Sequence, residues 1–177
     1  MACDINLGRL EPCKDSVGGI IAIYINGAYT SGLLDTATIS ADGEVTDFAS
    51  PLTFYKFDLK GANGFEQTNE NSRENGTSFW TQTGTVVLKK QDKTTTAQMK
   101  LLSYGRPQII VQDYNGNYYL AGIENGCEVA VNTATGTGMG DLNGYNLTIT
   151  GTEKSPANFV AFAAMVTAAD IVVVPGV

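Results

Sequence analysis

Histidine is missing from all 177 residues of the chain. With it go the commonest general base, the commonest transition-metal ligand and the usual partner of a Ser or Cys nucleophile, which closes most hydrolase mechanisms in their usual form. Charge is thin too, at 16% Asp, Glu, Lys and Arg against ~25% in ordinary soluble domains. Its balance is acidic, with 11 Lys and Arg against 18 Asp and Glu and a net charge of -7. That argues against tight phosphate-backbone binding, whose affinity comes from Lys and Arg releasing counterions. Cysteine is sparse. Cys3, Cys13 and Cys127 can form at most one disulfide, and a chain of this length folds without staples, so reduced thiols are expected. A zinc site would need a fourth ligand and closer cysteine pairs, such as C-x2-C. The opening MACDINLGRL lacks the basic n-region and apolar stretch of a signal peptide, so cytoplasmic synthesis is expected.

What is present suits a single domain. Hydrophobic residues make up 43%, mean hydropathy is -0.04, and a chain of this size buries ~70% of its unfolded surface. GIIAIYI at 19–25 is a short, β-branched apolar run between glycine-containing turns, which reads as a buried strand. TATIS and EVTDF flank Asp42-Gly43 as a hairpin, and QIIVQD and NYYLAGI flank Asn115-Gly116 as another, because such pairs supply the positive φ angles of tight turns. LTFYKFDL at 52–59, TQTGTVVLKK at 81–90, CEVAV at 127–131 and YNLTITGTE at 145–153 read as further strands, the last with Leu147 and Ile149 inward. The polar, Asn-rich stretch 61–80 reads as a long loop or ragged hairpin whose large apolar groups are Phe65, Phe79 and Trp80. One substantial helix is predicted over about 92–103, capped by Asp92 or Thr94, with Ala97, Leu101 and Leu102 on its packed face. The fold class expected is mainly β, a barrel or sandwich with one flanking helix and long loops.

After Pro156 the chain becomes apolar and almost uncharged. Asn158, Thr167, Asp170 and Pro175 interrupt it, whereas a membrane span needs ~20 consecutive apolar residues. Two readings stand for this tail: docking on its own core, or packing on a neighbouring subunit. The domain division expected is 1–159 as the β domain and 160–177 as the tail.

Motifs that carry chemistry are weak. Asp113, Asn115, Asn117 and Glu124 fall at EF-hand-like spacing, but Tyr118 stands where the glycine is needed and a hairpin accounts for the same residues. GTGMGD at 136–141 lacks the lysine and the strand-to-helix setting of a phosphate loop. No pair among the carboxylates is marked as convergent for glycosidase work. The sequons at Asn75 and Asn146 read as turn and strand residues. No catalytic residue, metal or cofactor is expected.

Stretches 8–20 (GRLEPCKDSVGGI), 72–80 (SRENGTSFW), 100–126 (KLLSYGRPQIIVQDYNGNYYLAGIENG) and 140–159 (GDLNGYNLTITGTEKSPANF) together resemble virion structural proteins of tailed bacteriophages, of the tail-tube type. The resemblance ends near Phe159. It implies subunits assembled in the host bacterial cytoplasm into rings, commonly hexameric, which stack into a tube with other tail proteins in the virion. DNA would be passing cargo only, and no membrane is involved. Phe65, Phe79 and Trp80 would anchor neighbours, Tyr145, Leu147 and Ile149 would lie on a strand completed by a partner, and Phe159 would join them. The alternatives are a head decoration or tail-completion protein of the same particle, a carbohydrate-binding β-sandwich, and a carboxylate glycosidase.

Overall fold

A computed structural model describes residues 7–176. In chain order the elements are β1 (Ile20–Asn26), α1 (Leu33–Thr36), β2 (Thr38–Ile39), β3 (Glu44–Asp47), β4 (Leu52–Asp58), β5 (Gly64–Ser72) and β6 (Thr77–Lys89). They continue with α2 (Lys93–Leu102), β7 (Ile109–Asp113), β8 (Tyr118–Ala121), β9 (Cys127–Ala134), β10 (Gly144–Glu153), β11 (Asn158–Val160), α3 (Phe162–Ala168) and β12 (Ile171–Val174). The protein is mainly β. An eight-stranded sheet runs β12-β4-β1-β7-β8-β11-β3-β2, and a four-stranded antiparallel sheet runs β5-β6-β10-β9. They pack as a sandwich and do not close into a barrel.

The large sheet is buried on both faces, which explains the near-continuous apolar runs of β1 and β7. On one face Ile23, Ile25, Ile109 and Val111 meet Val86, Val129, Leu147 and Ile149 of the small sheet and Met99 of α2. On the other, Ala22, Tyr24, Ile110, Leu120 and Phe54 pack against Leu33 of α1 and Phe162 and Met165 of α3. Strict alternation would send Ile20 to the face of Ala22 and Tyr24. A register shift between Ile20 and Ala22 leaves Ile21 partly exposed and returns Ile20 to the same core as Ile23.

Asp92 caps α2, its carboxylate accepting from the Thr95 amide at 2.7 Å. The packed face differs from expectation: Met99 is buried and Leu102 half-buried, while Leu101 is 65% exposed and Ala97 lies in solvent. Thr95, Met99 and Leu102 share a stripe at helical spacing, and the long thioether of Met99 reaches the core where Ala97 is too short.

The helix count also changes. The tail forms α3 and then β12, which pairs in parallel with β4. Phe162, Met165 and Ile171 are buried in the chain's own core, so these apolar residues are filling it and are not held out as an arm. Stretch 61–80 is also more ordered than expected: β5 and the first part of β6 make a regular hairpin paired from Gly64 with Thr85 to Ser72 with Thr77. Its polar residues hid it, because β5 has no buried side chain.

Candidate assembly surface

The outer face of the four-stranded sheet carries an ordered set of threonines. β6 contributes Thr81, Thr83 and Thr85, and β10 contributes Thr152, Thr150 and Thr148, paired in register across the two central strands. Both segments read T-x-T-G-T (TQTGT and TITGT). Alternation turns every threonine outward and the intervening residues inward. The inward glycines are fitted to their neighbours: a Cβ on Gly84 would lie 3.3 Å from Ile149, and one on Gly151 would lie 3.2 Å from the Cys127 sulfur. The motif thus makes one face polar and lets the other pack closely on the core. That pattern was visible in the sequence, but the threonines read only as strand formers until pairing set them side by side.

Around the threonines stand Glu66 and Glu128, whose strand positions share their face, and Glu70, which accepts from the Thr81 hydroxyl at 2.8 Å. Lys89 lies at the far end of β6, and Arg106 reaches Glu128 at 3.3 Å. The face is therefore neutral to acidic. Its two outer strands, β5 and β9, have no strand partner on their outer sides among the described residues.

Several residues expected at subunit contacts are elsewhere. Tyr145, Leu147 and Ile149 are fully buried, and β10 is an inner strand between β6 and β9, so its backbone is already paired on both sides. Its alternating pattern belongs to the centre of a sheet with one wet face, and not to an edge completed by a partner. Phe65 packs at 6.3 Å from Tyr119 and is half-buried, as are Phe79 and Trp80 near the hairpin's end. Phe159 packs 4.9 Å from Tyr119 with the two rings tilted, yet stays 47% exposed. The structure brings Phe65 and Phe159 onto the same tyrosine, and gathers Tyr145, Leu147 and Ile149 in the core cluster against which Phe65 also packs.

No family model, curated protein or solved structure gives a significant match to this chain. The surface must be read from its own chemistry. Among the described residues, no three Cys, Asp or Glu side chains converge on a metal position, and no helix is long and apolar enough to cross a membrane. Asp113 spends its carboxylate on the amides of Asn115 and Asn117 at 2.9 and 2.7 Å, which caps the hairpin turn; desolvation pushes its pKa up, but the bonds from the side chains and amides of Asn117 and Asn115 together hold it below the usual range. Glu124 is drawn away to Lys154 at 3.0 Å. In the glycine-rich loop, Asp141 accepts from the amides of Thr137 and Gly138, so this loop folds on its own carboxylate. Among the described residues Cys13 is exposed and Cys127 buried, with no disulfide between them, and burial pushes the Cys127 thiol up to about 12; Cys3 lies outside the described residues.

Sequence reasoning passed over Glu153, the last residue of β10. It is 2% exposed and accepts from the amides of Glu124 and Asn125 at 3.1 and 2.8 Å, clamping the turn between β8 and β9. Burial raises its pKa more than these bonds lower it, and the nearby Glu124 adds to the rise. A carboxyl with a raised folded pKa stabilises the fold below its unfolded value and loses that contribution as pH climbs through the folded one. Glu153→Gln keeps an oxygen for both amides, removes the charge and adds a donor near Glu124, whose Oε2 is buried without a partner. Thermal melts should show the variant equal to or more stable than the parent at pH 7, with the difference shrinking toward pH 4.5. A variant that melts well below its parent at pH 7 would show that the negative charge itself holds the turn.

Proposed function

We propose that this chain is a structural subunit whose copies join through the edges of the four-stranded sheet into rings that stack as a phage tail tube. The observation that carries the reading is the Thr81–Thr83–Thr85 and Thr148–Thr150–Thr152 face, polar and poor in cations, on a sheet whose two edges are unpaired among the described residues. β5 and β9 differ in sequence, so joining β9 of one copy to β5 of the next is a head-to-tail contact. Such a contact closes into a ring when its rotation divides the circle, and it pairs backbone groups that are otherwise unpaired. The threonine faces then line a common channel. Threonine hydroxyls stay hydrated, and Glu66, Glu70 and Glu128 outnumber the flanking cations Lys89 and Arg106, the latter already paired with Glu128. Phosphates therefore find little to hold them, which suits a conduit through which DNA slides. The half-buried Trp80 offers little of the open stacking platform that sugar binding needs.

Negative-stain microscopy of the purified chain, alone and with its tail partners, tests this. Rings or tubes with a central channel are expected, and a cysteine placed at Thr150 should react with a bulky maleimide in the free subunit but not inside tubes. A chain that stays monomeric at high concentration in both conditions moves the weight to a sugar-binding module.

A further inference from the structure

Two clusters of like charge stand at opposite ends of one strand pair. β4 and β12 run side by side, Ile171 beside Leu52 and Val174 beside Tyr55. At their finishing end is a cleft of about 720 Å3 whose wall includes Lys56, Lys60, Lys89, Lys90 and Pro175. This places half of the chain's eight lysines around one opening in an acidic protein. The cleft also holds two aspartates, both engaged: Asp58 pairs with Lys56 at 2.9 Å, and Asp92 caps α2. Lys60, Lys89 and Lys90 have no ion-pair partner among the described residues. Lys90 also holds φ at 65°, a region where glycine costs less, so a side chain is kept there despite strain.

At the starting end Asp170 immediately precedes β12, and Asp47 closes β3. The two carboxyls are close enough to interact, and desolvation together with Asp47 raises the pKa of Asp170. Asp47 faces Thr38 across the β2–β3 pair, three residues from Asp35 of α1. Neither Asp47 nor Asp170 has a cation partner among the described residues. Each cluster has the charge the other lacks. They are separated along β4 by roughly 25 Å, at about 3.3 Å per residue, so within one copy they cannot meet.

We propose that copies of this chain stack end to end, the Lys60–Lys89–Lys90 cleft of one receiving the Asp47 and Asp170 carboxylates of the next. A second copy is the occupant because it carries the complementary charge at the opposite end of the same strands, and a repeated head-to-tail contact of this kind propagates. Its place as the junction between successive rings rests on the tube reading; the contact itself does not.

Zero-length carbodiimide coupling of the whole chain, with the joined peptides mapped by mass spectrometry, tests it. At low salt, links between Lys60, Lys89 or Lys90 and Asp47 or Asp170 of different molecules should dominate. They should fall severalfold in 1 M salt, where screening acts over roughly 3 Å. Lys89→Glu/Lys90→Glu should lose assembly, and mixing it with Asp47→Lys/Asp170→Lys should restore it, both variants being checked for a native circular dichroism spectrum. Should a variant misfold, the salt series and link map on the parent still decide. Absent links, links elsewhere, or links indifferent to salt overturn the proposal. So does protection of Lys89 and Lys90 from acetylation by duplex DNA but not by rising protein concentration. Rings that lack these links overturn the stacking contact alone, whereas linked stacks without a channel overturn the tube reading and leave the contact standing.

Discussion

A chain cut after Val160 should fail to fold. The cut removes α3 and β12, and with them the buried side chains of Phe162, Met165 and Ile171. Each contributes about 1.5–3 kcal/mol by burial, and the whole domain is stable by only about 5–15 kcal/mol. The loss also strips β4 of its outer neighbour and uncovers Phe54, Tyr24 and Ile110 beneath α3. Circular dichroism should show no cooperative melt, and limited proteolysis should digest the truncated chain at conditions the parent survives. Met165→Ala provides the graded version, an expected loss of about 2–5 kcal/mol. A truncated chain melting cooperatively within a few degrees of the parent would mean that the tail is an appendage after all.

Gly126→Ala has the next largest expected effect. Gly126 sits at φ 74°, and a Cβ there would lie 2.3 Å from the carbonyl oxygen of Arg106, a backbone atom that cannot swing aside. The turn is held from its other side by Glu153, and Cys127 donates its amide to Pro107 at 2.9 Å. Left-handed strain and the clash therefore add, for a loss of about 3 kcal/mol or more. In a domain of this size that lowers the melting temperature by roughly 10 °C. Gly116→Ala is the control: φ is 86°, but no atom lies within 4 Å of the added carbon, so only the strain of roughly 1–2 kcal/mol remains. Equal losses in the two variants would show that backbone strain alone sets the cost.

The β-rich class was legible because period-two patterns and turn pairs such as Asn115-Gly116 are local signals. What escaped was decided by partners far along the chain. NFVAFAAMVTAADIVVV reads equally well as an arm or as a helix and strand, because most of its residues are apolar and only the uncovered face of the large sheet distinguishes the two outcomes. Tyr145–Glu153 alternates like an edge strand, and nothing within it records that β6 and β9 lie on either side. The hairpin of β5 and β6 was hidden for the opposite reason, since along β5 only Phe65 is a large apolar group on the inward face, followed by Gln67 and Asn69, polar residues that also suit a loop. Of the candidate surface, the two T-x-T-G-T segments lie within the predicted strands, but nothing local marks them as partners, and their alignment needed the register of β6 and β10.

The parallel pairing of β12 with β4 also bears on how the protein is made. β12 joins a strand synthesised more than a hundred residues earlier. While the ribosome is still adding residues, β4 waits with an open edge, and the helix that covers its sheet does not yet exist. The second core therefore closes only after β12 itself has left the exit tunnel, and the non-local pairing makes that step slow. In that interval the uncovered apolar face is the chain's main route to aggregation, and a holdase that binds it should raise the yield of native subunit more than any change to the threonine face.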